Sequence, residues 1–276
     1  MGDGFNTITS NELVTRIGTR DCPPIFDVRR AEKWAEAPDL IPTAKWRDHM
    51  AAATWGLDLP RDREVVVYCV HGHNVSQLAA ALLRSVGVRA RVLDTGVEGY
   101  RAAAGPMLHK DAVPDRDESV PSHWVTRERP KIDRIACPWF IRRFMDRDAR
   151  IHYVASDWVG DVAEEMNAIP FDIPDVAFSH VGEQCSFDAF LEKSGIADPA
   201  LARLARIIRA ADTGHPDREP QAAGLLAASL GLSAMEADDL AMMEQGFLIY
   251  DALYAWCRHA AEETHGWPPA PAKSAV

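Results

Sequence analysis

Apolar positions along this chain follow two patterns, and the change from one to the other divides it. In the first hundred residues they form short runs alternating with amphipathic stretches. Thr9-Ser10-Asn11-Glu12-Leu13 gives a capped helix start, continued by Val14 and Ile17 at helical spacing. Pro23 to Arg29 predicts a short strand ending in a charged pair, and Ile41-Pro42-Thr43-Ala44 is a second apolar segment. Trp46 to Trp55 reads as loop or irregular helix. The β-branched run Val65-Val66-Val67-Tyr68-Cys69 predicts a buried strand. A glycine-containing loop follows, then a helix from Gln77 that closes at Gly87. Arg89 to Asp94 is another strand, and Gly96-Val97-Glu98-Gly99-Tyr100 turns into a short helix. Strands alternating with helices imply a parallel sheet covered on both faces, an α/β domain over 6–106.

Residues 107–122 are polar, proline-punctuated and without apolar periodicity, which predicts a linker. Beyond it the pattern becomes mostly helical. His123 to Arg127, Arg150 to Val154 and Val176 to His180 read as strands. Ile135, Trp139 and Phe140 have helical spacing, and Pro138 could be tolerated in a first turn. Helices are expected over 199–211, 222–230 and 234–263, the last rich in core-type aromatics, giving an α+β domain over 123–263 and a flexible tail over 264–276.

Composition narrows the class. The 276 residues are 47% hydrophobic and 26% charged, values of a globular protein. No apolar run approaches the length of a bilayer span, and Met1-Gly2-Asp3-Gly4-Phe5 lacks a signal pattern, so a cytoplasmic protein without a membrane partner is expected. Five dispersed cysteines without a CxxC pair argue against a disulfide framework and for reduced thiols. A net charge of -11 and the lack of a convincing helix-turn-helix disfavour DNA without excluding it, and the oligomeric state is left open.

The stretch with most chemistry is Tyr68-Cys69-Val70-His71-Gly72-His73-Asn74. A thiol at a strand end before a helix N-terminus faces unpaired amides and the positive end of the helix dipole, which stabilise a thiolate. The alternative is a buried apolar cysteine. Asp27-Val28-Arg29, Ile41 to Ala44, Tyr68-Cys69 with Gly72, and Gly96 to Tyr100 together resemble a rhodanese domain. That resemblance implies a persulfide-carrying nucleophile at Cys69, loop amides from Val70 to Asn74, Gly72 among them, that cradle an anion or persulfide, supporting roles for Asp27 and Arg29, and a small oxyanion or sulfur donor or acceptor as partner. Rhodanese-type loops usually carry an arginine five positions after the cysteine; here that position is Asn74, so thiosulfate transfer is expected to be poor. His71 and His73 could supply part of the missing charge or be solvated loop histidines.

In the second half, His123 to Arg127, Ile132 to Trp139, Phe178 to Phe187, Arg209 to Thr213 and Tyr250 to Cys257 look like the C-terminal domain of the chromate-resistance ChrB family. This implies an accessory factor or regulator in resistance to chromate or a related oxyanion. With the first domain it suggests sulfur-transfer or thiol-redox chemistry at Cys69, that is, a sulfurtransferase; the alternative is a non-catalytic oxyanion- or metal-sensing protein. Two clusters could carry chemistry here. Arg127, Arg134 and Arg142, with Arg143 beside Cys137, suit an oxyanion and would lower the thiol's pKa, the alternative being a solvated helix face. His180 and Glu183, completed by His123 or Asp212, could bind a transition metal such as zinc, manganese or iron, the alternative being an ordinary loop with a buried histidine.

Overall fold

The computed structural model describes residues 6–117 and 119–263; the tail expected over 264–276 lies outside them. The chain runs β1 (Thr7–Ile8), α1 (Ser10–Arg16), β2 (Ile25–Asp27), α2 (Ala31–Glu36), β3 (Asp39–Leu40), β4 (Lys45–Trp46), α3 (Ala52–Trp55), β5 (Glu64–Tyr68), α4 (Asn74–Ser85), β6 (Arg89–Leu93) and α5 (Gly96–Ala102). β1-β6-β5-β2-β4 form one parallel sheet, as the alternating pattern predicts. Val65 to Tyr68 are fully buried, so both faces of β5 are covered. The period of two then sends its side chains to different cores. Val65 and Val67 pack with Phe26, Ala80 and Leu83, while Val66 and Tyr68 join a core that continues through Tyr100 to Trp139 and Tyr254 of the second domain.

The segment predicted as a linker is anchored. Its Leu108–His109 strand (β7) pairs antiparallel with β3, and Leu108, Ala112 and Val113 are buried. The prolines conceal three apolar anchors spaced too irregularly to register as an element.

The second domain holds β8 (His123–Arg127), α6 (Asp133–Phe140), β9 (Arg150–Val154), α7 (Val159–Glu165), β10 (Ile169–Pro170), α8 (Ser186–Ser194), α9 (Pro199–Asp212), α10 (Ala222–Met235) and α11 (Asp239–Ala255). β10-β8-β9 form a small parallel sheet, and the rest is helical. Three expectations change. Val176 to His180 is not a strand: Phe178 makes one bridge, to Phe171, and is held by ring contacts with Trp124 and Phe190. The last helix begins at Asp239, because the Asp238 side chain caps the Ala241 amide. Pro138 lies inside α6 rather than in its first turn. The carbonyl it deprives of an intrahelical partner is that of Arg134, which accepts instead from the Tyr153 hydroxyl at 2.7 Å. A π-helical turn over Ile141–Met145 follows.

The domains share a seam. The Thr43 amide donates to the Phe144 carbonyl at 3.1 Å, and Arg258 caps the end of α1 through the carbonyls of Val14, Thr15 and Ile17, each at 3.2 Å. Gly18 is required there: a Cβ on it would stand 2.2 Å from the Phe144 ring. Among the described residues no helix is long and apolar enough to cross a membrane.

Candidate functional sites

The Cys69 loop leaves the C-terminal end of β5, where ligands of open parallel sheets bind. Two glycines shape it. Gly72 adopts φ +75°, and a Cβ there would stand 2.3 Å from the Asp94 carbonyl oxygen; Gly96, at φ +61°, passes as close to the Val70 carbonyl. The loop is stitched to α5 by Val97 N–H donating to the Cys69 carbonyl at 2.9 Å. Cys69 is 6% exposed, and its Sγ lies 3.2 Å from the Ser76 hydroxyl in the first turn of α4.

Cys69 lines a cavity of about 530 Å³ together with Val70, His71, His73 and Asn74, but not Gly72, whose part is the turn. His71 is exposed and sits 3.1 Å from Glu98. Asp27 and Arg29 form a buried ion pair, with Nε of Arg29 2.8 Å from Asp27 and the Tyr68 hydroxyl donating to the same carboxylate at 2.9 Å. Burial pushes the Tyr68 phenol well up, so it stays protonated and serves as that donor. The guanidinium of Arg29 is thus committed to Asp27 and forms only a wall of the cavity. Two further cations line the same cavity: Arg30, just before α2, and Lys33 of α2, whose ammonium also pairs with Glu36 at 2.6 Å. Sequence reasoning missed both, because it sought a cation within the loop; their position just after a parallel strand was the available signal.

In the second domain His180 stands at the centre of three carboxylates: its Nε2 lies 3.1 Å from Asp133, 3.3 Å from Asp172 and 3.3 Å from Asp212. Asp133, His180 and Asp212 each offer a ligand atom, all within 4.8 Å of one another. Asp133 opens α6, Asp212 ends α9, and His180 and Asp172 sit on the segment between β10 and α8. Asp133 follows Ile132, held at φ +44°, a strained conformation for a β-branched residue. The strain is fixed from both sides: Ile132 N–H donates to Ser229 Oγ at 3.2 Å, and the Tyr250 hydroxyl donates to its carbonyl at 2.6 Å. Ser186, at the start of α8, gives its amide to Asp133 and its hydroxyl to Asp172.

Crowded carboxylates that are mostly buried resist being charged together. Burial, then the charge of Asp133, raises Asp212 to about 8, and the hydrogen bond with Asp133 raises His180 to about 9. Asp172 is also raised, by burial and by Asp133, although Arg127 and Arg134 compensate it at 2.8 and 3.2 Å.

The sequence-proposed ligand set is therefore only half assembled. His180 and Asp212 meet; Asp133 and Asp172, not foreseen, join them. Glu183 stands apart, 84% exposed and turned to Arg218, because the turn at Gly182 carries it outward. His123 is at the other end of β8, paired with His152 at 3.1 Å. The expected arginine–thiol site is also corrected. Arg127 and Arg134 are taken by Asp172, Arg142 pairs with Glu244 and Arg143 with Asp251, and Cys137 is fully buried with its thiol pushed well up by desolvation rather than lowered.

The N-terminal half belongs to the class of rhodanese-like domains, whose family model matches residues 9–103. The second half matches the ChrB C-terminal domain over residues 124–257, so the chain is a rhodanese-like domain followed by a ChrB C-terminal domain. Protein ChrB of Cupriavidus metallidurans is 33% identical over 133 residues, 48% of this chain and 39% of that protein. The chain thus spans about two-fifths of the length of that curated relative. Similar solved structures include a rhodanese-related protein from Thermoplasma volcanium (20% identity, 38% of this chain and 98% of that one, TM-score 0.33) and a rhodanese homologue from Thermus thermophilus (27%, 34% and 98%, TM-score 0.28).

Proposed function

We propose that the protein is an accessory factor in resistance to chromate or a related oxyanion, and that Cys69 carries sulfur in that role. The observation that carries this reading is the position of Cys69: at a strand end, against the first turn of α4, in an open cavity that Arg30 also lines. The Cys69 thiolate attacks the outer sulfur of a persulfide donor; the donor S–S bond breaks, the donor leaves as a thiolate, and Cys69 becomes a persulfide. An acceptor thiolate then takes the terminal sulfur and Cys69 returns as thiolate. A small persulfide suits the cavity better than thiosulfate, since the loop offers no guanidinium fork to an oxyanion. The test is intact-mass spectrometry before and after a persulfide donor. Gain of about 32 Da, one sulfur atom, that is lost in Cys69→Ser supports the reading, and no gain removes it.

A second reading is favoured by the convergence of Asp133, His180 and Asp212: the C-terminal domain binds a divalent transition metal. Carboxylates with one imidazole suit manganese or ferrous iron better than a thiolate-rich zinc site, and the Cys185 thiol is kept protonated by burial. Because Arg127 and Arg134 compensate Asp172, a dication would be held by Asp133 and Asp212 and would displace the proton that Asp212 carries. Equilibrium dialysis that finds one Mn²⁺ per chain, lost in Asp133→Asn, supports it; no retained metal overturns it.

A further inference from the structure

Arg127, Arg134, Arg142, Arg143 and Arg147 separate onto two faces. Arg127 and Arg134 turn to Asp172, whereas Arg142, Arg143 and Arg147, displaced by the π-helical turn, reach the seam between the domains. There, with Arg20 from the first domain, they line a cavity of about 430 Å³. Two carboxylates line it as well: Glu244, paired with Arg142, and Asp251, bridged by Nε and Nη2 of Arg143 at 2.9 and 2.8 Å. Four guanidinium groups against two carboxylates leave an excess of two positive charges, in a protein whose net charge is -11.

Arg147 sharpens the imbalance. It is half-buried, donates to the Cys22 carbonyl at 2.8 Å, and has no ion pair among the described residues; burial pulls its pKa down. A cation withdrawn from water without a counter-charge is costly, and an anion in the cavity would relieve that cost. The site is also partly preorganised. The Phe247 ring lies 5.8 and 5.6 Å from the guanidinium carbons of Arg142 and Arg143, and stacking of this kind holds the planar groups in place.

We propose that this interdomain cavity binds a tetrahedral dianionic oxyanion of the sulfate, phosphate and chromate class, held by Arg20, Arg143 and Arg147 with Arg142 released from Glu244. The site is separate from the Cys69 cavity, and the proposal does not rest on sulfur transfer there. Because its residues come from both domains, the ion would tie them together.

The test is calorimetric titration of the full chain with sodium sulfate at constant ionic strength, chloride being the balancing salt. A single site of about millimolar affinity or tighter is expected. Arg147→Lys should weaken it about tenfold, through loss of the fork geometry. Glu244→Gln, an exposed and structurally mild change, should tighten it by removing a competing carboxylate. Cys69→Ser should bind as the parent does, which separates this site from the rhodanese-like loop. Glycerol 2-phosphate titrated alongside distinguishes a free inorganic ion from the same group on an organic carrier, tighter binding of the ester assigning the carrier form. Absence of sulfate and ester binding, or an affinity that Arg147→Lys and Glu244→Gln both leave unchanged, overturns the proposal.

Discussion

The Sγ of Cys69 lies 3.2 Å from the hydroxyl of Ser76, which itself donates to the His73 carbonyl at 3.1 Å. One hydroxyl proton serves one acceptor, so the thiol donates to Ser76 while the serine holds the loop. Once the sulfur is ionised, the serine proton can turn to it. Ser76→Ala should therefore slow iodoacetamide alkylation of Cys69 by about three- to tenfold, the net worth of one ordinary hydrogen bond, while leaving the far-UV circular dichroism unchanged. An unaltered rate would remove Ser76 from the site.

Gly72 and Gly182 both have positive φ, but only Gly72 is packed against backbone. Gly72→Ala combines left-handed strain with a clash at Asp94 and should cost about 3 kcal/mol or more in urea unfolding, against about 1 kcal/mol for Gly182→Ala, where nothing lies within 4 Å. Equal losses would show that the loop tolerates a side chain.

The His180 cluster sets a pH dependence in chelator-treated protein. His180 at about 9 holds its proton more tightly folded than unfolded, so its stabilisation is full below about 6.5 and is lost as pH rises towards 9. Asp212 at about 8 is also protonated in the fold where the unfolded chain is not, so stability falls between about 4 and 8. Both act in the same direction: Tm should drop from pH 6 to pH 9, and Asp212→Asn should flatten the slope. Added Mn²⁺, which displaces the protons, should raise Tm most at the alkaline end if the metal reading holds. A Tm that rises over this range contradicts the cluster's titration.

Phe144 is fully buried at the domain seam, against Trp139, Phe140, Tyr254 and the Cα of Gly18. Phe144→Ala should cost ~3–5 kcal/mol. Because the core is continuous across the seam, calorimetry of the parent chain should show the two domains melting in one transition, and the variant should lower that transition or split it. Two transitions in the parent would mean that the seam couples them weakly.

Much of the architecture was legible because it depends on short-range pattern. The β-branched run of β5, the loop at Cys69, the strands β8 and β9 and the helix over α9 follow from periods of two or 3.6 and from caps, which act within a few residues. The pairing of Asp27 with Arg29 and the placing of Cys69, His71 and His73 about one cavity needed only a strand end and a turn. The carboxylate cluster needed more. Glu183, close to His180 in sequence, is carried away from it by a turn, whereas Asp133, Asp172 and Asp212 arrive from three distant points because α6, α9 and the segment before α8 pack together. The arginine run is divided for the same reason: Arg127 on β8 and Arg134 in α6 meet Asp172, whereas Arg142 and Arg143, in the π-helical turn after α6, meet Glu244 and Asp251 of α11. Sequence determined most of the segments and the place of Cys69 between a strand and a helix; only tertiary packing decided which charges would meet, because long-range contacts are selected by the fit of whole elements rather than by any residue's neighbours in the chain.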